Sequence, residues 1–120
     1  MSHTVLVVED DADIRTALME ILEDHHFGAV GVSNGAEALS YLAGAAELPC
    51  LILLDLMMPV MDGETFRKAQ RSDPRLSLIP VVVLSAYRDL ESRARALGAV
   101  SVLVKPPDVR ELVDALAANC

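Results

Sequence analysis

Two kinds of apolar pattern alternate along this chain. Short unbroken runs, Val5-Leu6-Val7-Val8, Ala29-Val30-Gly31-Val32, Leu51-Ile52-Leu53-Leu54, Val81-Val82-Val83-Leu84 and Val100-Ser101-Val102-Leu103-Val104, are separated by stretches whose apolar residues recur at helical spacing. Aliphatic runs with little polar alternation predict strands covered on both faces, as in a parallel sheet with helices on each side.

The intervening stretches carry helix punctuation. In the first, Ile14, Leu18, Ile21 and Leu22 share a face, Asp11 is placed to cap the start, and Gly28 follows the end. The second begins at Asn34, three residues before Glu37, the spacing of a capping box, and runs through Leu39 and Leu42. The third follows Asp62-Gly63, turns Phe66 and Ala69 inward and ends before Asp73-Pro74. The fourth carries Leu90, Ala94 and Leu97 and stops at Gly98. The fifth follows Pro106-Pro107, with Val109, Leu112, Val113 and Leu116 expected on its buried face. Five βα units in 120 residues predict an α/β three-layer sandwich forming one domain over residues 1–120. A chain of this size buries roughly two thirds of its unfolded surface, enough for a core without staples.

Composition narrows the function. Eighteen Asp and Glu against ten Lys and Arg give a formal charge of -8, which disfavours binding to a nucleic-acid backbone by these residues. The longest apolar stretch, Pro49 to Met61, is broken by Asp55 and by proline, short of the roughly 20 residues that span a bilayer. Met1-Ser2-His3-Thr4 lack the charged region of a secretory leader, so a cytoplasmic protein without membrane contact is expected. Cys50 opens an apolar run and Cys120 is the last residue. Their spacing suits neither metal nor redox chemistry, so Cys50 is expected to pack in the core and Cys120 to be an incidental terminal thiol.

In a parallel sheet of this kind, function sits at the carboxyl ends of the strands. There the chain offers Glu9-Asp10-Asp11, Ser33-Asn34-Gly35, Asp55-Leu56-Met57, Ser85-Ala86-Tyr87 and Lys105-Pro106. Glu9, Asp10 and Asp55 bring three carboxylates to one edge, where repulsion raises pKa values unless a cation intervenes. An all-oxygen site with few protein ligands favours Mg²⁺, or Mn²⁺, and leaves positions for water and a phosphoryl oxygen. Lys105 offsets the carboxylates and can pair with phosphoryl oxygens, and Ser85 adds a hydroxyl. Asp55 is then the natural nucleophile, since a carboxylate can attack phosphorus to give an acyl phosphate. Asp11 and Asp62 read as helix caps, and His25 and His26 as residues suited to the carbonyl end of the first helix.

These segments together resemble the receiver domain of two-component response regulators. The resemblance rests on Glu9-Asp10, on Leu53-Leu54-Asp55-Leu56-Met57-Met58-Pro59-Val60-Met61-Asp62-Gly63, on Val83-Leu84-Ser85-Ala86 and on Val104-Lys105-Pro106, in order over the full length. It implies a flavodoxin-like (βα)5 fold with strand order 2-1-3-4-5. It also implies that Asp55 is the phosphoacceptor, that Glu9 and Asp10 hold Mg²⁺, and that Met57 adds its backbone carbonyl. Ser85 would be the switch hydroxyl, with Ala86 beside it, Lys105 the phosphoryl partner, and Lys105-Pro106 a cis bond. The implied donor is a histidine kinase or histidine phosphotransfer protein that docks on the first helix near Ile14 and Ala17. The implied output is partner binding or homodimer formation through the fourth helix, fifth strand and fifth helix.

The family pattern is departed from twice. Glu9 stands where Asp is commoner, and Val102 stands where many receivers carry the aromatic half of the switch. Tyr87, two residues after Ser85, is a candidate shield of the phosphoryl group. A phosphorylation-independent scaffold is the alternative reading. A hydrolase of the aspartyl-phosphate kind would want Asp where Met57 stands, and a dinucleotide protein a Gly loop where the first acids stand.

Overall fold

Each aliphatic run becomes a strand because it is covered on both sides. In the computed structural model, which describes residues 3–56, 61–85, 91–105 and 107–120 (Glu91 by its backbone alone), the order along the chain is β1 (Thr4–Val8), α1 (Ala12–Asp24), β2 (Gly28–Val32), α2 (Gly35–Gly44), β3 (Leu51–Asp55), α3 (Gly63–Ser72), β4 (Val81–Ser85), α4 (Glu91–Ala96), β5 (Ser101–Val104) and α5 (Val109–Asn119). The strands form one parallel sheet of order β2-β1-β3-β4-β5, as the resemblance implies.

Alternate residues of the three central strands feed two separate cores. Leu6, Val8, Ile52, Leu54, Val81 and Val83 pack against Ala38 and Leu42 of α2, Phe66 of α3 and Ala94 of α4. Val5, Val7, Leu51, Leu53, Val82 and Leu84 pack against Leu18 and Leu22 of α1 and Leu112 and Leu116 of α5. A fully buried aliphatic side chain contributes about 1.5–3 kcal/mol, so the sheet is held from both sides.

Caps set the helix starts. Asp11 accepts from the Asp13 and Ile14 amides, Asp62 from Thr65, and Asp108 from Arg110 and Glu111. Asn34 accepts from the Glu37 amide, while Glu37 reaches back to the amide and hydroxyl of Ser33, so the capping box closes one residue early.

Three expectations are corrected. Helix α1 ends through His26, whose φ of 70° takes the left-handed turn expected of Gly28. Gly28 instead opens β2, where a Cβ would lie 2.9 Å from Thr4 Oγ1. Val109 is 45% exposed, because it occupies the first helical position after the Asp108 cap, and α5 buries Leu112 and Leu116 instead. Cys120 is no incidental thiol: it forms a disulfide with Cys50, because α5 runs back along the sheet to the amino end of β3.

Candidate functional site

The site is assembled by strand register. Asp55 ends β3 opposite Leu84 of β4, and Ser85, the next residue, lies opposite Val104, which precedes Lys105. Glu9 follows β1, with its amide on the Val32 carbonyl at 3.0 Å. The carboxyl ends of four strands thus converge.

Lys105 makes the central contacts. Its Nζ donates to Glu9 Oε1, and to Asp55 Oδ2 at 3.1 Å. Its backbone amide donates to the Ser85 carbonyl at 2.8 Å, tying the end of β5 to the end of β4. Glu9 is 0% exposed and Asp55 4% exposed, and Ser85 is buried, whereas Asp10 is exposed at the rim.

The electrostatics follow from that burial. Desolvation raises the Glu9 carboxyl to about 8, with neighbouring Asp55 pushing the same way and Lys105 opposing. Burial works against the Lys105 ammonium, but the hydrogen bond to Glu9 and the charge of Asp55 outweigh it and hold its pKa above the ordinary lysine value. Glu9 and Asp55 share one ammonium while Asp10 lies exposed at the rim, so the raised Glu9 carboxyl favours a proton that a cation can replace.

Two observations fit a divalent ion. Glu9, Asp10 and Asp55 each offer an oxygen within 4.8 Å of the others. Among the described residues, the buried Glu9 Oε2 has no hydrogen-bond partner. A hard cation with oxygen ligands would satisfy that atom and relieve the repulsion.

Arg15 also belongs to the site's architecture, although nothing in the sequence pattern singled it out. Its Nη1 donates to the Glu9 carbonyl at 2.9 Å, fixing the backbone of the acidic turn. Gly31 makes room for it, since a Cβ there would lie 2.9 Å from Arg15 Cδ. At the other side, Gly63 lets α3 start against the end of β3: a Cβ would fall 2.6 Å from the Asp55 carbonyl oxygen.

Of the sequence-derived residues, Glu9, Asp10, Asp55, Ser85 and Lys105 come together at this edge. Met57, Ala86, Tyr87 and Pro106, with the expected cis bond, lie outside the described residues. Val102 is half-buried and packs towards the core beneath α2, α3 and α4.

Comparison with known proteins points the same way. The family described as the response regulator receiver domain matches residues 5–117. The chain is 32% identical to sporulation initiation phosphotransferase F of Bacillus subtilis, over 97% of this chain and 92% of that one. It is 38% identical to the transcriptional regulatory protein PdtaR of Mycobacterium tuberculosis, over 93% of this chain but only 54% of that one, so it spans about half of that regulator. Among solved structures, chemotaxis protein CheY4 of Vibrio cholerae superposes with a TM-score of 0.88 at 29% identity, with both chains fully covered.

Proposed function

The chain belongs to the response regulator receiver domain family, and from that premise we propose that Asp55 accepts a phosphoryl group from a phosphohistidine, with Mg²⁺, and that the acyl phosphate shifts α4, β5 and α5 to control a partner or output domain. The donor in this reading is a histidine kinase or histidine phosphotransfer protein. The observation that carries it is the contact of half-buried Lys105 with buried Glu9 and Asp55, in which one ammonium bridges the nucleophile and a second carboxylate.

An Asp55 carboxylate oxygen forms the new O–P bond as the P–N bond to the donor imidazole breaks, and the imidazole leaves with the electron pair and takes up a proton. Glu9, Asp10 and Asp55, with the Met57 carbonyl that the family pattern adds, would hold a divalent ion, which when bound would supply charge neutralisation for the phosphoryl oxygens. Lys105 steers Asp55 through Oδ2 before transfer and pairs with a phosphoryl oxygen after it. Ser85 offers its hydroxyl to another.

Both groups that answer the phosphoryl charge hang on the β4–β5 ladder, through the hydrogen bond that the Lys105 amide donates to the Ser85 carbonyl. Drawing them inward biases the elements that ladder carries, so the phosphate's added charge and acceptors select a second arrangement. The chain in this reading is a switch that assists its own phosphorylation and dephosphorylation, not a turnover enzyme.

Incubation with acetyl phosphate and Mg²⁺, followed by intact mass, tests the reading. The parent is expected to carry one hydroxylamine-labile phosphoryl adduct that Asp55→Asn lacks. A parent that stays unmodified under these conditions and with a phosphorylated histidine donor would leave the phosphorylation-independent scaffold.

A further inference from the structure

At the edge of the sheet opposite the acids, Cys50 and Cys120 meet across 70 residues of sequence. Their Cα atoms are 5.0 Å apart, inside the range that a disulfide bridges without backbone movement. Cys50 is 7% exposed and anchored by its amide to the Thr4 carbonyl at 2.9 Å, while Cys120 is half-buried at the end of α5. The same Thr4 carbonyl lies 3.4 Å from Cys50 Sγ and can accept from the thiol when the bond is open. Both redox states are therefore accommodated by one arrangement: the bonded pair by the Cα separation, the thiol by its acceptor.

We propose that Cys50 and Cys120 form a reversible thiol–disulfide modification site that staples α5 to the amino end of β3, using a low-molecular-weight disulfide as oxidant. The more exposed Cys120 thiolate attacks one sulfur of that disulfide and expels the first thiolate. Cys50 then attacks the Cys120 sulfur of the mixed disulfide and expels the second. The low-molecular-weight disulfide is reduced to two thiols, which take the two cysteine protons, and the protein pair is oxidised by two electrons.

The consequence falls on α5. Its start is capped by Asp108, three residues beyond Lys105 in the sequence, and its end is the staple, so oxidation fixes the far end of a helix whose near end follows Lys105. Closing so long a loop restricts the unfolded chain strongly.

The test uses the reduced full chain incubated with oxidised glutathione. The expected product has lost two hydrogens, retains no glutathione, and yields a peptide linking Cys50 to Cys120. Its Tm should rise by roughly 10 °C and return on adding dithiothreitol. Amides in the last turns of α5 should exchange roughly tenfold more slowly in the oxidised form. Cys120→Ala, altered at the more exposed of the two positions, should keep the Tm of the reduced parent under both conditions. Glutathione retained on both cysteines, a dimer linked through Cys120, or an oxidised parent that melts with the reduced one would each overturn the proposal.

Discussion

At its carboxyl end β3 delivers Asp55 into a cluster of buried charge, whereas at its amino end the same strand passes Leu51 and Cys50 into apolar packing closed by a disulfide. The packing at the amino end is satisfied as it stands. The carboxyl end is not: two buried carboxylates share one ammonium with a third acid beside them, and Glu9 Oε2 is buried without a hydrogen-bond partner among the described residues. Satisfied packing is concentrated at one end and unsatisfied charge at the other, so a rigid sheet carries a site whose electrostatics are left open.

The largest expected effect lies at the apolar end. Leu51→Ala should cost about 4 kcal/mol in urea unfolding, since Leu51 is fully buried and its surroundings are held by the sheet. The cost should be the same at pH 5 and pH 8. A strong pH dependence would show that the two ends are not separate.

Lys105→Ala attacks the other end and should cost about 3 kcal/mol at pH 8, where two buried carboxylates lose their shared ammonium. At pH 5 Glu9 holds its proton, and the cost should shrink. Equal costs at both pH values would break the assignment of the charge cluster as the pH-sensitive end.

Glu9→Gln should act in the opposite direction. The Glu9 carboxyl is raised in the folded protein from 4.5 to about 8, so between those values the native state binds more protons than the unfolded state. Metal-free stability therefore falls as pH rises from about 4.5 to about 8, and the penalty is fully present above that. Removing the charge should stabilise the metal-free protein at pH 8 by on the order of 2 kcal/mol and flatten the slope. Mg²⁺ should raise the parent's Tm more at pH 8 than at pH 6, because below pH 8 it must displace the Glu9 proton. Glu9→Gln should lose most of that response.

Local sequence carried much of this picture, for identifiable reasons. The runs at Val5, Leu51 and Val81 read as buried strands because nothing polar interrupts them, and the acids stood out because each follows such a run. The Cys50–Cys120 contact was illegible because it depends on how α5 returns across the sheet, a property of topology and not of spacing. Arg67 and Gln70 are polar residues of α3 that nothing in the sequence pattern singles out. In the folded protein both are buried, with Arg67 donating to the Leu97 carbonyl at 2.8 Å and Gln70 to those of Leu76 and Ile79. A long polar side chain that satisfies distant carbonyls looks the same in sequence as one in water. Arg15, which donates to the Glu9 carbonyl, is inconspicuous in the sequence for the same reason.

The smallest effect separates neighbours within one acidic run. Asp10 and Asp11 are both exposed carboxylates at the end of β1, and composition alone cannot tell them apart. Asp11 accepts from the Asp13 and Ile14 amides at 2.9 and 3.0 Å, so it works as a cap for α1. Asp10 offers an oxygen within 4.8 Å of those of Glu9 and Asp55. Asp11→Ala should therefore cost about 1 kcal/mol in stability and leave the Mg²⁺-dependent rise in Tm intact. Asp10→Asn should leave metal-free stability within about 0.5 kcal/mol of the parent while weakening the Mg²⁺ response. Thermal unfolding with and without Mg²⁺ reads both variants. If the two behave alike, the division between structural and chemical acids fails at its narrowest point, one residue apart.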